Sequence, residues 1–494
     1  MDTKLKTANI PCYFVKSSRK TGEKPSGENT AGRENPLLTG NIRNQLIRLA
    51  VPLLLGNILQ QCYHIVDSLM IGRFVGLEAF AAIGVAGTVM NLLIFVMEGF
   101  CTGLSVVFSM YYGSGNLKKF REEVFVAIGF GSVAAVLLSV VFLAVLRPIL
   151  VLMRTPENLL PYVIDYLWII AAGLITAYFY NLFSAVLRAV GNTKAALCCL
   201  FAATVMNVCL DYVFVAEAGM GIAGAAWATV IAQAAAAAGC FLFLYRVHGE
   251  LICTRKDLGF HRELLGKTVR FGFSSALQNS SLYIGKMLVQ GSVNLLGTPG
   301  IAAFTAASRL EGFANSFGDS GAMAMSVMIS QNYGAGKSER VKESLRQGML
   351  LHIILGIGIP AVMFVLAGQG LELFLKREQA EAFGEGLAYL RLISVFYILC
   401  FVGSALVGFF RGIGKVHIPV IGTTLNIGTR VILARLVICR FGLAGLAAAT
   451  GVSWMAVVGF QIWNLFKMRK KGPLCFAEEF QWKKDCEKGG NIVE

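Results

Sequence analysis

Long apolar runs recur along almost the whole chain, and they constrain its fold more than any other feature. Each run exceeds the roughly 18 residues with which a helix crosses a bilayer core, and none alternates as membrane β-strands do. With 56% hydrophobic and 15% charged residues, a water-soluble core could not bury this surface. The sequence therefore predicts an all-α integral membrane protein with twelve transmembrane helices, over 46–71, 79–111, 122–147, 161–187, 195–216, 221–245, 268–296, 301–333, 347–369, 387–410, 416–437 and 443–466.

The basic residues between these runs predict the topology. If the N-terminus lies in the cytoplasm, the loops on that side collect most of the 44 Lys and Arg residues. An even number of helices returns the C-terminus to the same side. We therefore expect a multi-pass plasma-membrane protein with both termini cytoplasmic. This also explains the net charge of +15 without a nucleic-acid partner, because no stretch interleaves aromatic and basic residues as nucleic-acid-binding strands do.

Polar stretches predict the domain boundaries. Residues 1–41 are expected to form a disordered cytoplasmic tail, and 467–494 a cytoplasmic C-terminal tail. The longest internal polar stretch lies between the sixth and seventh helices, so 247–267 is predicted to be a cytoplasmic linker. It separates an N-lobe of helices 1–6 (42–246) from a C-lobe of helices 7–12 (268–466).

The two lobes repeat each other at a spacing of 221 residues, which indicates an internal duplication. Since each lobe has an even number of helices, both start on the same side and are related by an axis along the membrane normal. That arrangement predicts two pseudo-symmetric lobes with a cleft for substrate between them. The matched segments are Tyr112-Gly113-Ser114-Gly115 with Tyr333-Gly334-Ala335-Gly336, Gly221-Ile222-Ala223-Gly224 with Gly442-Leu443-Ala444-Gly445, and Glu98 with Asp319.

Acids within the predicted helices point to a cation site, because a charge inside a membrane is costly without a partner or a function. Asp67 lies in the first helix. Asp211 lies in the fifth, one helical turn after Asn207 and on the same face. Thr229 lies in the sixth. These oxygens suit a small hard cation such as Na⁺, two close carboxyls can instead carry H⁺, and a packing network that moves no ion is the alternative.

The second half differs in charge. Arg430 stands opposite Asp211 in the sequence alignment of the halves, and Lys286 lies inside the seventh helix. Lys286 either pairs with Asp319 or Glu311 or faces the cavity. We expect no cofactor, because the 12 cysteines and five histidines show no metal-ligand spacing. The candidate cavity residues are Gln278, Asn279, Lys286, Met287 and Met325, and Pro52 is a candidate bend in the first helix.

Seven motifs keep a fixed order along the chain. They are Pro52, Val66-Asp67-Ser68 with Gly72, Tyr112-Gly113-Ser114-Gly115, Arg188-Ala189-Val190-Gly191-Asn192-Thr193, Asn207-Val208-Cys209-Leu210-Asp211, Gly221 through Thr229, and Arg411-Gly412-Ile413-Gly414-Lys415. Over about residues 42–466, the chain resembles the multidrug and toxic compound extrusion (MATE) family in these motifs. The resemblance implies two six-helix lobes in a V, alternating access, and export of organic cations driven by inward Na⁺ or H⁺. Asp67, Asn207, Asp211 and Thr229 match the family's N-lobe cation site.

The second lobe departs from one branch of that family. Where the seventh and tenth helices of that branch carry acids, this chain has Gln278, Asn279 and Cys400, so it resembles the DinF-type branch more closely. A flippase for a lipid-linked saccharide or other anionic lipid is the alternative, and Lys286 is the residue that favours it. A membrane enzyme is disfavoured, since no cluster of His, Asp and Glu lies in the predicted loops. The duplication favours a working monomer that handles a small-molecule substrate within the lipid bilayer.

Overall fold

The computed structural model describes residues 35–152, 155–253, 257, 259, 261–375 and 379–470, and this part of the chain is helical with no strand. The predicted ends beyond it, 1–34 and 471–494, lie outside the described residues. The helices are α1 (Pro36–Thr39), α2 (Ile42–Phe74), α3 (Leu77–Gly113), α4 (Leu117–Leu152), α5 (Leu160–Ala172), α6 (Leu174–Ala189), α7 (Thr193–Asp211), α8 (Gly221–Val247), α9 (Arg262–Val293), α10 (Gly297–Gly334), α11 (Ser338–Val365), α12 (Ala367–Glu372), α13 (Ala380–Gly412) and α14 (His417–Lys470).

Eight helices of the described chain are long and apolar enough to cross a membrane, and nine if α5 and α6, which meet at a 47° bend, form one span. The all-α integral membrane fold is thereby confirmed. The number twelve stays a prediction, for two reasons. α9 and α10 are not among these eight helices, and α14 is a single run of 54 residues that is interrupted by non-helical backbone at Gly442 (φ 57°, ψ −146°).

Glycines in the left-handed backbone region mark the same turns in both halves. A positive φ is costly for residues with a Cβ, so glycine is the residue that such turns require. Three pairs are 221 residues apart, and a fourth pair is 223 apart. The pairs are Gly76 with Gly297, Gly115 with Gly336, Gly221 with Gly442, and, at the longer spacing, Gly191 with Gly414.

The change of spacing corrects one alignment made from the sequence. The last two marker glycines are 30 positions apart in the first half, Gly191 to Gly221, and 28 apart in the second half, Gly414 to Gly442. In the first half, α7 runs into a π-helix, Tyr212–Glu217, and a turn, whereas α14 stays helical up to Gly442. The two extra residues therefore lie after Asp211, and the spacing before them is 223. Arg430 is thus the counterpart of Asn207, not of Asp211, whose counterpart is Ala434.

The first helix of each half packs into the core of the other half. Leu46 and Leu49 of α2 are buried in a cluster with residues of α10 and α13. Phe271 of α9 is buried in the cluster of the first half. α9 and α3 approach so closely that a Cβ added at Gly103 would lie 2.1 Å from the Phe271 carbonyl oxygen. Small residues permit such close approach of membrane helices.

Some predicted boundaries shift because helices continue beyond the apolar runs. Residues 36–41, assigned to the tail, contain α1. The Arg340 Nη2 group donates to the carbonyls of Leu37 (3.1 Å) and Gly40 (2.9 Å), which anchors this segment to α11. α9 begins at Arg262 rather than 268, and α14 ends at Lys470 rather than 466. Within the expected linker, Asp257 accepts a 2.9 Å hydrogen bond from Arg121 Nε.

Candidate cation site and substrate cavity

The four residues predicted for a cation site lie together between α2, α7 and α8. Asp67 is 5% exposed, Asn207 1%, Asp211 0% and Thr229 4%. Helical periodicity places Asn207 and Asp211 one turn apart on the buried face of α7, opposite the end of α2 that carries Asp67. Buried polar groups need partners, so the arrangement of their oxygens decides what this site can hold.

The carboxyl groups of Asp67 and Asp211 are in side-chain hydrogen-bond contact. Two ionised carboxylates this close repel each other, so the pair is stabilised by a proton or a cation bound between its oxygens. The Oδ1 atoms of both residues are buried and have no hydrogen-bond partner within the described structure. The two unpartnered carboxyl oxygens beside this contact form a place where a proton or a small cation can be bound.

Asn207 joins this pair to α8. In the amide orientation that satisfies both neighbours, its nitrogen donates to Asp211 Oδ2 at 3.2 Å and its oxygen accepts from the backbone N–H of Thr229 at 3.3 Å. The amide therefore fixes the Asp211 carboxyl relative to α8. The backbone changes from α-helix to π-helix directly after Asp211, and π-turns are frequent at functional sites.

Two tyrosines that the sequence analysis missed complete the site. The hydroxyl groups of Tyr63 and Thr229 are 2.8 Å apart and share a hydrogen bond. Tyr166, from α5, is 1% exposed and donates to Met90 Sδ at 3.5 Å. Tyr63 was detectable, because it precedes Asp67 by one helical turn. Tyr166 had no signal, because a tyrosine in an apolar run is ordinary.

The donor set is oxygen-rich. In the described residues no group of three or more His, Cys, Asp or Glu has metal-binding geometry. Two carboxyls, one amide oxygen and hydroxyl groups suit Na⁺, which prefers oxygen ligands, or a proton held between the carboxyls.

The predicted cavity residues differ in their exposure, and only some of them can line an open cavity. Gln278 is buried and accepts a 2.9 Å hydrogen bond from Arg411 Nη2. Asn279 is half-buried, whereas Lys286 and Met287 are exposed. Met325 is 1% exposed, in a core cluster beside Gly348, whose missing side chain leaves room for the thioether. Met325 therefore packs in the core and lines no open cavity in this conformation.

Pro52 lies inside α2, which continues on both sides of it. Proline removes one backbone hydrogen bond from a helix and weakens it locally. The bend at Pro52 stays a prediction.

A mixed-charge group lies where the halves meet. Glu98 of α3 is within electrostatic reach of Arg188, of Arg411 and of its counterpart Asp319. Asp319 is an exposed residue of α10, and its sequence neighbours Gly318 and Ser320 are small. Lys286 is within electrostatic reach of Asp319. An exposed lysine and an exposed acid this close together indicate a water-accessible cavity, not a lipid-facing surface.

Comparison with known proteins matches the chain to the MatE family model over residues 52–213 and 274–436. The probable multidrug resistance protein YpnP of Bacillus subtilis is 28% identical over 385 residues, which cover 76% of this chain and 83% of YpnP. The probable multidrug resistance protein NorM of Thermotoga maritima is 24% identical, over 84% of this chain and 89% of NorM. A protein of Shewanella oneidensis named FAD transporter is 24% identical, over 83% of this chain and 89% of its own length.

Solved structures share the fold. A MOP superfamily transporter from Pyrococcus furiosus superposes with a TM-score of 0.81 at 22% identity, over 89% of this chain and 98% of the other. A structure described as the outward-facing conformation of a multidrug resistance MATE family transporter also gives a TM-score of 0.81, with the same identity and coverage.

Proposed function

Because this chain belongs to the MatE family, and is therefore a membrane transporter and not an enzyme, we propose that it is an antiporter driven by inward H⁺ or Na⁺. It exports organic compounds, chiefly cationic amphipathic ones, by alternating access. The assignment to the DinF-type branch is part of this proposal and rests on Gln278, Asn279 and Cys400.

The shared contact of Asp67 and Asp211 carries the proposal. A bound ion drives transport only if its affinity differs between two conformations. α2 is the element that can produce this difference, because one part of it holds Asp67 against α7 while Leu46 and Leu49 pack into the core of the other half. Binding or release of a cation at Asp67 thus changes the force on a helix that joins both halves. Pro52 lies between these two parts and is the proposed bend.

Two acids at the central cavity support a cationic substrate. Asp319 is exposed there, and Glu98 is half-buried beside it. A cationic group can pair with these acids, while the exposed side chain of Met287 offers an adaptable apolar contact. Asn279, half-buried on the same helix, offers hydrogen bonds, whereas Gln278 contributes by holding the Arg411 guanidinium. The predicted contribution of Met325 is limited to another conformation, in which the core around Gly348 opens.

An anionic substrate is the second candidate. Lys286 is exposed and Arg411 reaches the same region from α13, so a phosphate or carboxylate also has cationic partners there. The relative named FAD transporter supports this reading. A flippase for a lipid-linked saccharide or other anionic lipid belongs to the same class.

Dye efflux from proteoliposomes tests the proposal. Purified full-length protein is reconstituted, loaded with a fluorescent organic cation, and given a pH gradient or a Na⁺ gradient in turn. We expect one gradient to drive dye movement, and Asp67→Asn to abolish it without loss of folded protein. Asp165→Asn, an exposed acid of α5, is the matched control and should transport normally. Gradient-driven transport that persists in Asp67→Asn would reject the coupling role, and transport of anionic but not cationic dyes would favour the second candidate.

Orientation and assembly complete the proposal. Both termini lie in the cytoplasm of a plasma-membrane protein, since the basic residues Lys118, Lys119 and Lys337 follow α3 and α10. A C-terminal green fluorescent protein fusion should fluoresce, because that reporter folds in the cytoplasm. The protein works as a monomer, so light scattering in detergent should give the mass of one chain.

A further inference from the structure

The second half of the chain contains a counterpart of the Asp67–Asp211 site. At the spacings set by the marker glycines, Tyr166 corresponds to Tyr389, and Met90 to Glu311. The contacts agree with this register. Tyr166 donates to Met90 in the first half, and Tyr389 is in side-chain contact with Glu311 in the second. The helix pair α3 and α5 in the first half, and its counterpart α10 and α13 in the second, therefore bring corresponding positions together.

The Asp67–Asp211 site and its counterpart in the second half carry different chemical groups. Neither acid of the first half is matched by an acid in the second, because Asp67 corresponds to Leu288 and Asp211 to Ala434. Leu288 is 50% exposed and Ala434 is buried. Arg430 takes the position of Asn207, the amide at the centre of the first site. The second half thus holds one acid, Glu311, and one guanidinium, where the first half holds two acids and an amide.

Glu311, Tyr389 and Arg430 form a contact group in the interior. Tyr389 is 0% exposed and interacts with both charged side chains. Glu311 and Arg430 are within electrostatic reach of each other. Their polar atoms are only partly satisfied, because Glu311 Oε1, Tyr389 OH and Arg430 Nε are buried without a hydrogen-bond partner in the described structure. A charged pair inside a membrane protein is retained where it serves a structural or functional purpose.

We infer that Arg430 is a tethered cation that occupies, in the second half, the place that an exchangeable cation takes in the first. The inference rests on the proposed function in one respect, namely that the first site binds the coupling cation. Glu311 is the counter-charge, and Tyr389 lies next to both side chains. Because the guanidinium is covalently held, this half binds no exchangeable cation, and removal of the side chain creates a vacant cation site shaped for a planar guanidinium.

Thermal unfolding of the purified full-length protein tests the inference with guanidinium chloride as the probe. A ligand that binds only the folded state raises the melting temperature. We expect Arg430→Ala to lower the melting temperature, and millimolar guanidinium to restore part of the loss, beyond the effect of equal tetramethylammonium chloride. Arg430→Lys should retain most of the stability. The wild type and the double variant Glu311→Gln/Arg430→Ala should not respond to guanidinium.

An unchanged melting temperature in Arg430→Ala, or an equal guanidinium response in the double variant, would overturn the inference. Lys286 is also within electrostatic reach of Glu311, so the series is repeated with Lys286→Gln, which should enlarge the guanidinium response. If Arg430→Ala does not fold, Glu311→Gln is compared with Glu311→Gln/Arg430→Gln. The double variant should be the more stable of the two, because the single variant leaves a half-buried cation without its counter-charge, and the opposite order would refute the pairing.

Dye efflux separates this inference from the proposed function. Gradient-driven efflux should be slowed in Arg430→Ala and recover with guanidinium. If the wild type shows no gradient-driven efflux, the proposed function fails while the unfolding series still decides the role of Arg430. If the wild type transports and Arg430→Ala is indistinguishable from it in both measurements, the tethered cation is rejected and the proposed function stands.

Discussion

Gly113 and Gly334 allow the ends of α3 and α10 to approach each other closely and so close one end of the molecule. They are counterparts in the two halves, at the ends of α3 and α10. A Cβ added at Gly113 would lie 2.1 Å from the Gln331 carbonyl oxygen, and one added at Gly334 would lie 2.1 Å from the Met110 carbonyl oxygen. Gln331 also donates from Nε2 to the Ala189 carbonyl at 2.6 Å, which joins the second half to the end of α6.

Gly113→Ala and Gly334→Ala should each prevent this closure. A methyl group has no space between the two backbones, so we expect a cost of about 1–3 kcal/mol in the closed conformation, typical of overpacking. Dye efflux in proteoliposomes should fall, while the protein stays inserted because the open conformation is relieved of the clash. Gly129→Ala is the matched control, since nothing lies within 4 Å of its added Cβ. Normal efflux by both closure variants would contradict the assigned role of this contact.

The hydrogen bond between Tyr63 and Thr229 should couple the stabilities of α2 and α8. Tyr63→Phe and Thr229→Val each remove one side of a 2.8 Å bond. A buried hydrogen bond contributes about 1 kcal/mol net. The double variant should therefore lose less stability than the sum of the single losses, measured by thermal unfolding in detergent. Strict additivity would mean that the two hydroxyl groups do not interact in the folded protein.

Arg340 should anchor the segment before α2. Its guanidinium donates to two carbonyls of residues 36–41 and, through Nε, to Asn332 Oδ1 at 3.0 Å. Arg340→Ala should cost about 2 kcal/mol, because charge-assisted hydrogen bonds are stronger than neutral ones. Limited proteolysis should then cut near residue 40 faster than in the wild type. Arg346→Ala is the control, because the Arg346 side chain is 82% exposed. Equal cleavage rates in the two variants would argue against the anchor.

Cys253, in the segment between α8 and α9, should react slowly with maleimides. Burial raises the pKa of its thiol to about 11, and the thiol donates to the Arg121 carbonyl at 3.1 Å. The thiolate is the reactive form, so at neutral pH its fraction is far below that of an ordinary cysteine and rises roughly tenfold per pH unit up to the pKa. Mass spectrometry of a variant that keeps Cys253 as its sole cysteine checks this. Fast labelling at pH 7 would show that the thiol is more exposed than the structure indicates.

The pattern of apolar runs was enough to predict the all-α membrane fold, and the glycine spacing predicted the duplication. Both signals are local, because lipid dictates which residues a spanning helix can expose and a left-handed turn dictates glycine. Asp67, Asn207, Asp211 and Thr229 were also predictable as a group, because acids and their partners are conspicuous in apolar helices.

What the tertiary structure decided depends on contacts between helices that are distant in sequence. The place of Tyr166 beside Met90, the burial of Met325 beside Gly348, and the anchoring of residues 36–41 by Arg340 all follow from packing. The correct counterpart of Arg430 depended on a π-helix that adds two residues after Asp211, which no alignment of apolar sequence could locate. The sequence by itself determined that the chain is an all-α membrane protein, because that depends on each segment's own contact with lipid. Only the tertiary structure decided which polar groups meet there, because a helix does not encode in its own residues which face of a neighbour it will contact.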